Sequence, residues 1–276
     1  MEMKIGFSTA ILWDYENLDI QNAILRGSDL GFEAVEIHCE DPFFKGWGTG
    51  EADSTVEKIE ESLASTNMEI ALHAPYHDSN IASLNKGING EVLRQLEQCV
   101  ETARYLGSEI IVVHPGFVSS RKFKRDKSFR MMVSNLKKIA ELVRDEDIKI
   151  CVENLAAKKK AIGIEISELK KILEQVDEEN LKITLDLAHA NTTGDGPVKF
   201  VQELEGEIAH VHVSDNTGED NHLSIGQGDI DFEGVFKELM PFDGIAMLEG
   251  WIPRNEEPFL IYNREELEKI RNKLTR

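Results

Sequence analysis

Nine residues of this chain are of the types that bind divalent metal ions, and they recur at wide intervals: His73, His114, Glu153, Asp186, His189, His212, Asp220, His222 and Glu249. Imidazole nitrogens and carboxylate oxygens together form the donor set of zinc, manganese and related ions. Carboxylates and imidazoles gathered at one place without a cation are costly to desolvate. One zinc takes about four ligands, and nine candidates exceed even a six-coordinate ion. Two or three ions are therefore expected, mainly Zn2+ (Mn2+ or another divalent metal fits the same donors), with a carboxylate bridging some of them. Such a cluster suits phosphoester hydrolysis, because it yields a nucleophile at neutral pH and neutralises both the attacking and the leaving oxygen.

The elements that must bring these residues together are legible as alternating runs. Strand-type runs lie at 3–9, 34–39, 69–75, 109–116, 149–155, 182–190, 208–216 and 244–251. Helix-type runs lie between them, including 54–66, 89–107, 167–176 and 232–240; the second places Val92, Leu96, Cys99 and Ala103 on one stripe and stops at Gly107. The reading is eight strands and eight helices in strict alternation, which favours a parallel sheet with helical crossovers. At 276 residues, close to the roughly 250 of a typical (β/α)8 barrel, the chain is read as one α/β domain over residues 1–276, a single TIM barrel. An open doubly wound sheet is the alternative.

Barrel chemistry sits at the C-terminal ends of the strands. In order, those ends carry His73, His114, Glu153, Asp186 with His189, His212 and Glu249, and the loop after the seventh strand adds Asp220 and His222. The stretch "ITLDLAHAN" (183–191), a buried strand interrupted by a carboxylate and an imidazole, is explained by that convergence. His210, two residues before His212, points inward one layer deeper and is read as structural. His38, ending the second strand, is a candidate substrate contact; His77 is a loop residue with no assigned role.

The formal net charge is −20. Taken alone, it argues against a protein that grips nucleic acid with a basic surface. The charge is segregated, however. The segment "SSRKFKRDKSFR" (119–130) carries six basic residues and one acid, and Lys158, Lys159 and Lys160 follow the fifth strand. Both loops leave the rim that carries the metal candidates, so Arg121, Lys122, Lys124 and Arg125 are candidate phosphate contacts. A solvated charge run at a helix start is the other reading, although basic residues are unfavourable at a helix N-terminus. Cys39, Cys99 and Cys151 are too widely spaced for a metal knuckle and are expected to be buried thiols. No run reaches the roughly 18 apolar residues of a membrane span, no membrane partner is expected, and the first residues lack the pattern of a secretory signal. A cytoplasmic protein is the expectation.

The motifs "HAPY" (73–76), "HPG" (114–116), "ENLA" (153–156), "DLAH" (186–189), "HVSD" (212–215), "DNHLSIGQG" (220–228) and "EGW" (249–251) together resemble the xylose-isomerase-like TIM barrels. Within them the chain is most similar to the endonuclease IV family (AP endonuclease family 2), which cuts DNA beside abasic sites with three zinc ions. The resemblance implies that His73, His114 and Glu153 hold one ion. Glu153 would bridge to a second, held also by Asp186, His212 and Glu249, and His189, Asp220 and His222 would hold the third. It also matches Tyr76 to a tyrosine that inserts into DNA, and implies an abasic-site endonuclease of base-excision repair. The loop after the second strand, Arg-, Gln- and Trp-containing in that family, reads "EDPFFKGWGTG" here, with Trp47 but no Arg or Gln. The alternative implied by the same superfamily is a sugar or sugar-phosphate isomerase or epimerase. Its single ion would sit on Glu153, Asp186, His212 and Glu249, and Glu153 and Glu249 would be the catalytic proton-transfer pair. The substrate is then either DNA with an abasic site or a small, phosphorylated or plain sugar. Epimerase-type sequences often carry an Arg six residues after the seventh-strand His, where this chain has Gly218.

Overall fold

A computed structural model describes residues 3–12, 19–250 and 254–274. Eight strands, β1 (Lys4–Ser8), β2 (Ala34–His38), β3 (Glu69–His73), β4 (Ile110–Val113), β5 (Lys149–Glu153), β6 (Leu181–Asp186), β7 (Ile208–Val213) and β8 (Ile245–Leu248), are all parallel. They pair in chain order, and β1 pairs with β8, Ile5 opposite Ala246, so the sheet closes into a barrel. The open doubly wound alternative is thereby excluded. The helices are α1 (Ile20–Asp29), α2 (Ala52–Ala64), α3 (Lys86–Leu106), α4 (Arg125–Leu142), α5 (Ile166–Val176), α6 (Leu187–Asn191), α7 (Gly196–Glu203), α8 (Phe232–Leu239) and α9 (Glu256–Leu274).

Successive strand residues point to opposite faces, and the closed sheet separates them into two cores. Val35, Ile37, Leu72, Ile111, Val113, Ile150, Val152, Ile183 and Leu185 belong to the large cluster under the helices. Ala34, Ala71, Ile110, Val112, Cys151, Ile245 and Met247 form a smaller cluster inside the barrel. The candidate ligands continue this inner set at a spacing of two: Ala71 to His73, Val112 to His114, Cys151 to Glu153, and Met247 to Glu249. Thr184 to Asp186 and His210 to His212 keep the same parity. The strand period therefore aims every one of them at the barrel axis, one layer above the apolar plug.

Most boundaries shift by one or more residues from those read in the sequence, and two of the shifts have a visible cause in a cap. The sixth run was expected to extend to residue 190, but β6 stops at Asp186. Its carboxylate caps α6, accepting from the His189 N–H at 2.6 Å, so His189 is helical; an Asp at this position ends a strand by satisfying the first free amides of a helix. With α6 and α7 both lying between β6 and β7, the described residues hold nine α-helices rather than eight, besides a short 3-10 helix at Thr9–Leu12. Helix α3 begins three residues earlier than expected, because the Asn85 side chain accepts from the amides of Gly87 and Ile88; its end at Gly107, φ 73°, matches the expected stop. Cys39, Cys99 and Cys151 are buried free thiols. Trp47 is buried against Phe44 rather than exposed on its loop, and Trp251 lies outside the described residues. Among the described residues, no helix is long and apolar enough to cross a membrane.

Candidate metal centre

At the C-terminal mouth of the barrel the nine candidates gather into three groups. His73, His114 and Glu153 form one, Glu153, Asp186, His212 and Glu249 a second, and His189, Asp220 and His222 a third. In each, one donor atom per residue lies within 4.8 Å of the others. Glu153 belongs to two of them. Its Oε2 is 3.3 Å from His73 Nε2, 2.9 Å from His114 Nε2 and 3.6 Å from His212 Nδ1. His212 Nδ1 is also 3.4 Å from Glu249 Oε2. In the third group, Asp220 Oδ1 is 3.5 Å from His189 Nε2 and 3.2 Å from His222 Nε2.

Four of the five imidazoles have their other ring nitrogen engaged outside the cluster. His73 Nδ1 lies 2.8 Å from the Ala74 carbonyl, and His189 Nδ1 lies 2.9 Å from the Asn154 carbonyl. His212 Nε2 lies 3.2 Å from Glu36 Oε2, and His222 Nδ1 lies 3.1 Å from Ser214 Oγ. An acceptor on one nitrogen selects the tautomer that leaves the other nitrogen with its lone pair facing the cluster. The loop is shaped for the same end. Asp215, buried, accepts from the amides of Asn216, Gly226, Gly228 and Ile230, which folds the 216–230 segment back over the barrel. His222 is held there at φ 44°, a left-handed backbone that a histidine adopts at a cost of order 1 kcal/mol or more. Asn154 clamps β5 to β6, donating to the Asp186 carbonyl and accepting from its amide.

The electrostatics follow from this crowding. Burial alone would push the Glu153 carboxyl up, but the neighbouring His114 and His212 charges hold it well below the usual carboxylate range. Burial would likewise depress His73, yet the Glu153 hydrogen bond and the Glu36 charge carry it up to about 9. His189 and His212 are also raised, against burial, by Asp186 and by Glu249 respectively. Glu249 is pushed up to about 7 by burial, with the His212 charge opposing. His212 Nδ1, Asp186 Oδ2 and Asp220 Oδ1 are buried without a hydrogen-bond partner. Orphaned atoms of this kind, one or more in each of two groups, fit a donor set that takes divalent cations.

Several residues around the site had no role assigned from sequence. Glu36, fully buried on β2, accepts from His210 Nε2 at 3.1 Å as well as from His212; a Glu inside an inward-facing run was its only signal. Glu40 accepts from the amides of Tyr76 and His77, and its Oε1 lies 2.6 Å from His77 Nδ1. That clamp sets the Tyr76 ring against His73 and His114, at 5.0 and 4.5 Å between centroids. Lys158 pairs with Asp220 Oδ2 at 2.6 Å. Among the expected substrate contacts, Tyr76 lines the cavity of about 320 Å3 over the cluster, together with Phe117 and Lys158. His38, the register partner of His73, stacks on it at 4.7 Å and bonds to Ser8 Oγ, and is not among the residues that line that cavity. Arg121, Lys122 and Lys124 lie exposed on the loop before α4. Arg125, the first residue of α4, is held by Glu168 and the Ala161 carbonyl.

Comparison with known proteins agrees with this architecture. The family model of the xylose isomerase-like TIM barrel matches residues 25–272. An uncharacterised protein of Methanocaldococcus jannaschii is 30% identical over 261 residues, covering 91% of this chain and 84% of that protein. A probable endonuclease 4 of Mycobacterium leprae is 25% identical over 213 residues, covering 74% of this chain and 79% of that one. Among solved structures, a D-tagatose 3-epimerase-like protein superposes with a TM-score of 0.87 at 30% identity, over 99% of this chain and 98% of that one. An L-ribulose 3-epimerase superposes at 0.83 with 17% identity, over 99% and 96% of the two chains, a likeness of fold alone.

Proposed function

The chain belongs to the xylose isomerase-like TIM barrel family, and on that premise we propose that it is a multi-zinc phosphoester hydrolase acting on DNA at abasic sites. One observation carries the reading: three donor groups converge, two of them sharing Glu153, and the off-cluster nitrogens of His73, His189, His212 and His222 are each already engaged. His73, His114 and Glu153 would hold the first ion, Glu153, Asp186, His212 and Glu249 the second, and His189, Asp220 and His222 the third. When bound, such ions supply a nucleophile at neutral pH and spread the charge on the attacked and leaving oxygens.

The chain's own residues supply the rest. Tyr76, fixed by Glu40, forms one wall of the cavity and excludes water from the His73–His114 side. Lys158, which also lines the cavity and pairs there with Asp220, places a cation near where a substrate phosphate would lie. An abasic nucleotide costs least to turn out of a duplex, which makes it the nucleotide most easily presented to this cavity.

An epimerase or isomerase is the second reading, favoured by the epimerase-like structure at 30% identity and by Glu153 and Glu249 flanking His212 Nδ1. In it the two carboxylates move protons beside a carbonyl, and His73, His114, His189, Asp220 and His222 have no task. The deciding experiment combines elemental analysis of protein purified without chelators with two assays: nicking of duplex DNA bearing an abasic analogue, and interconversion of ketoses. Two or three ions per chain with nicking supports the hydrolase. One ion with ketose epimerisation and no nicking replaces it.

A further inference from the structure

Beside the metal centre lies a second cleft, of about 530 Å3, whose walls include Ile88, Leu84, Phe117 and Phe123. Ile88, Phe117 and Phe123 are 45%, 43% and 46% exposed, which makes them three of the seven large apolar side chains most open to solvent among the described residues. Phe117 lines both this cleft and the cavity over the metal candidates, so the two spaces are neighbours that meet at its side chain.

The platform is built rather than incidental. Asn80 donates to the Phe117 carbonyl at 2.9 Å and accepts from its amide at 3.0 Å. The close approach requires Gly116, at φ 82°, where a Cβ would come within 2.3 Å of Asn80 Oδ1. Phe117 also bridges to Ala161, which anchors it to the lysine-bearing loop after β5. Phe123 sits in the chain between Lys122 and Lys124, with Arg121 just before, and among the described residues none of these three cations has an ion-pair partner. One acid, Asp78, lies on the cleft wall.

Apolar flat faces within a patch of free cations, on a chain of net charge −20, complement a ligand that is itself both aromatic and polyanionic. Single-stranded nucleic acid is bound in this manner: aromatic side chains stack on bases while cations track the backbone. We propose that the Phe117–Phe123 cleft is a stacking subsite for a nucleobase next to the phosphoester presented to the metal centre. Arg121, Lys122 and Lys124 hold the phosphates on either side. The proposal rests on the phosphodiester reading given above and adds where the flanking nucleotide goes. An anionic membrane surface shares the apolar and acidic character, but the backbone clamp on Phe117 and the shared wall with the site favour a rigid, stacking ligand.

The test is fluorescence anisotropy with the metal-loaded protein and two labelled single strands of equal length, one carrying bases and one built entirely of abasic units. The wild type is expected to bind the base-carrying strand roughly tenfold tighter, the order of one base–aromatic stack. Phe123→Ala should remove that difference without weakening the abasic strand, and Phe123→Trp should restore it. The combined change of Arg121, Lys122 and Lys124 to Ala should weaken both strands and flatten the salt dependence. Equal binding of the two strands by the wild type overturns the proposal. So does Phe123→Ala with unchanged base preference, or a Phe123→Ala defect seen only with phosphatidylserine vesicles. Base-dependent binding without nicking of abasic DNA would refute the hydrolase and leave the subsite; nicking with base-independent binding would do the reverse.

Discussion

Removing Glu36 is the most discriminating perturbation of the inner layer. Its carboxylate is fully buried and accepts from His210 Nε2 at 3.1 Å and His212 Nε2 at 3.2 Å. Glu36→Ala strands two buried N–H donors, each costing about 1–3 kcal/mol, and removes one side of a buried charged pair, a change worth about 3–5 kcal/mol. These describe the same loss from two sides, so the expected destabilisation of the chelator-treated protein is about 3–5 kcal/mol. A second effect is separable. Without its Glu36 acceptor the His212 ring is no longer held with Nδ1 towards Glu249 and Glu153, and losing such an orienting partner weakens metal binding by about 10–100-fold. Urea unfolding of the chelator-treated protein measures the first effect, and competition with a chromophoric chelator the second. Glu36→Gln, which keeps an acceptor and the shape, should fall between. Wild-type metal affinity in a destabilised Glu36→Ala would show that Glu36 supports the fold without orienting His212. A change within about 0.5 kcal/mol, as at an ordinary surface site, would refute the reasoning entirely.

Protein purified without chelators is expected to carry about two or three transition-metal ions per chain, mainly zinc, by elemental analysis; one or none would rule out a trinuclear centre. Glu153→Ala should lose more metal than His189→Ala, because Glu153 belongs to two donor groups, and equal metal content in mutant and wild type would remove its bridging role. In chelator-treated protein, His73 is raised from 6.5 to about 9, so its proton stabilises the fold fully below 6.5 and that contribution is lost as pH climbs to about 9. Its melting temperature should therefore fall across that window, while the metal-loaded protein, whose imidazoles have already given up their protons, should not show the fall; a flat metal-free profile contradicts it. Arg125→Ala should cost about 0–1 kcal/mol through its half-exposed pair with Glu168 and leave oligonucleotide affinity unchanged, in contrast to Arg121, Lys122 and Lys124; a comparable loss of affinity would return Arg125 to the phosphate-contacting set.

Much of the fold was written in local periodicity. A run such as "EIALH" declares its strand and its facing within five residues, and parity then places His73 on the same side as Ala71. Because strand facing depends only on neighbours along the chain, the common facing of His73, His114, Glu153, Asp186, His212 and Glu249 was legible in the sequence, whereas His189 reaches the group from a helix and Asp220 and His222 from a loop. What lay beyond the sequence depends on closure of the ring. Glu36 and His210 meet across 174 positions of chain, and Arg125 finds Glu168 across 43. No local pattern records either pairing. The family resemblance already divided Asp186 and His189 between two ions; the cap that ends β6 and starts a five-residue helix between them was not legible, because the apolar content of that stretch reads equally well as more strand. In the cleft of Phe117 and Phe123, Asn80, from the loop after β3, grips the backbone after β4. Side-chain types and facing are one-dimensional properties; partners are set by which strands the barrel brings side by side, and that only the folded chain decides.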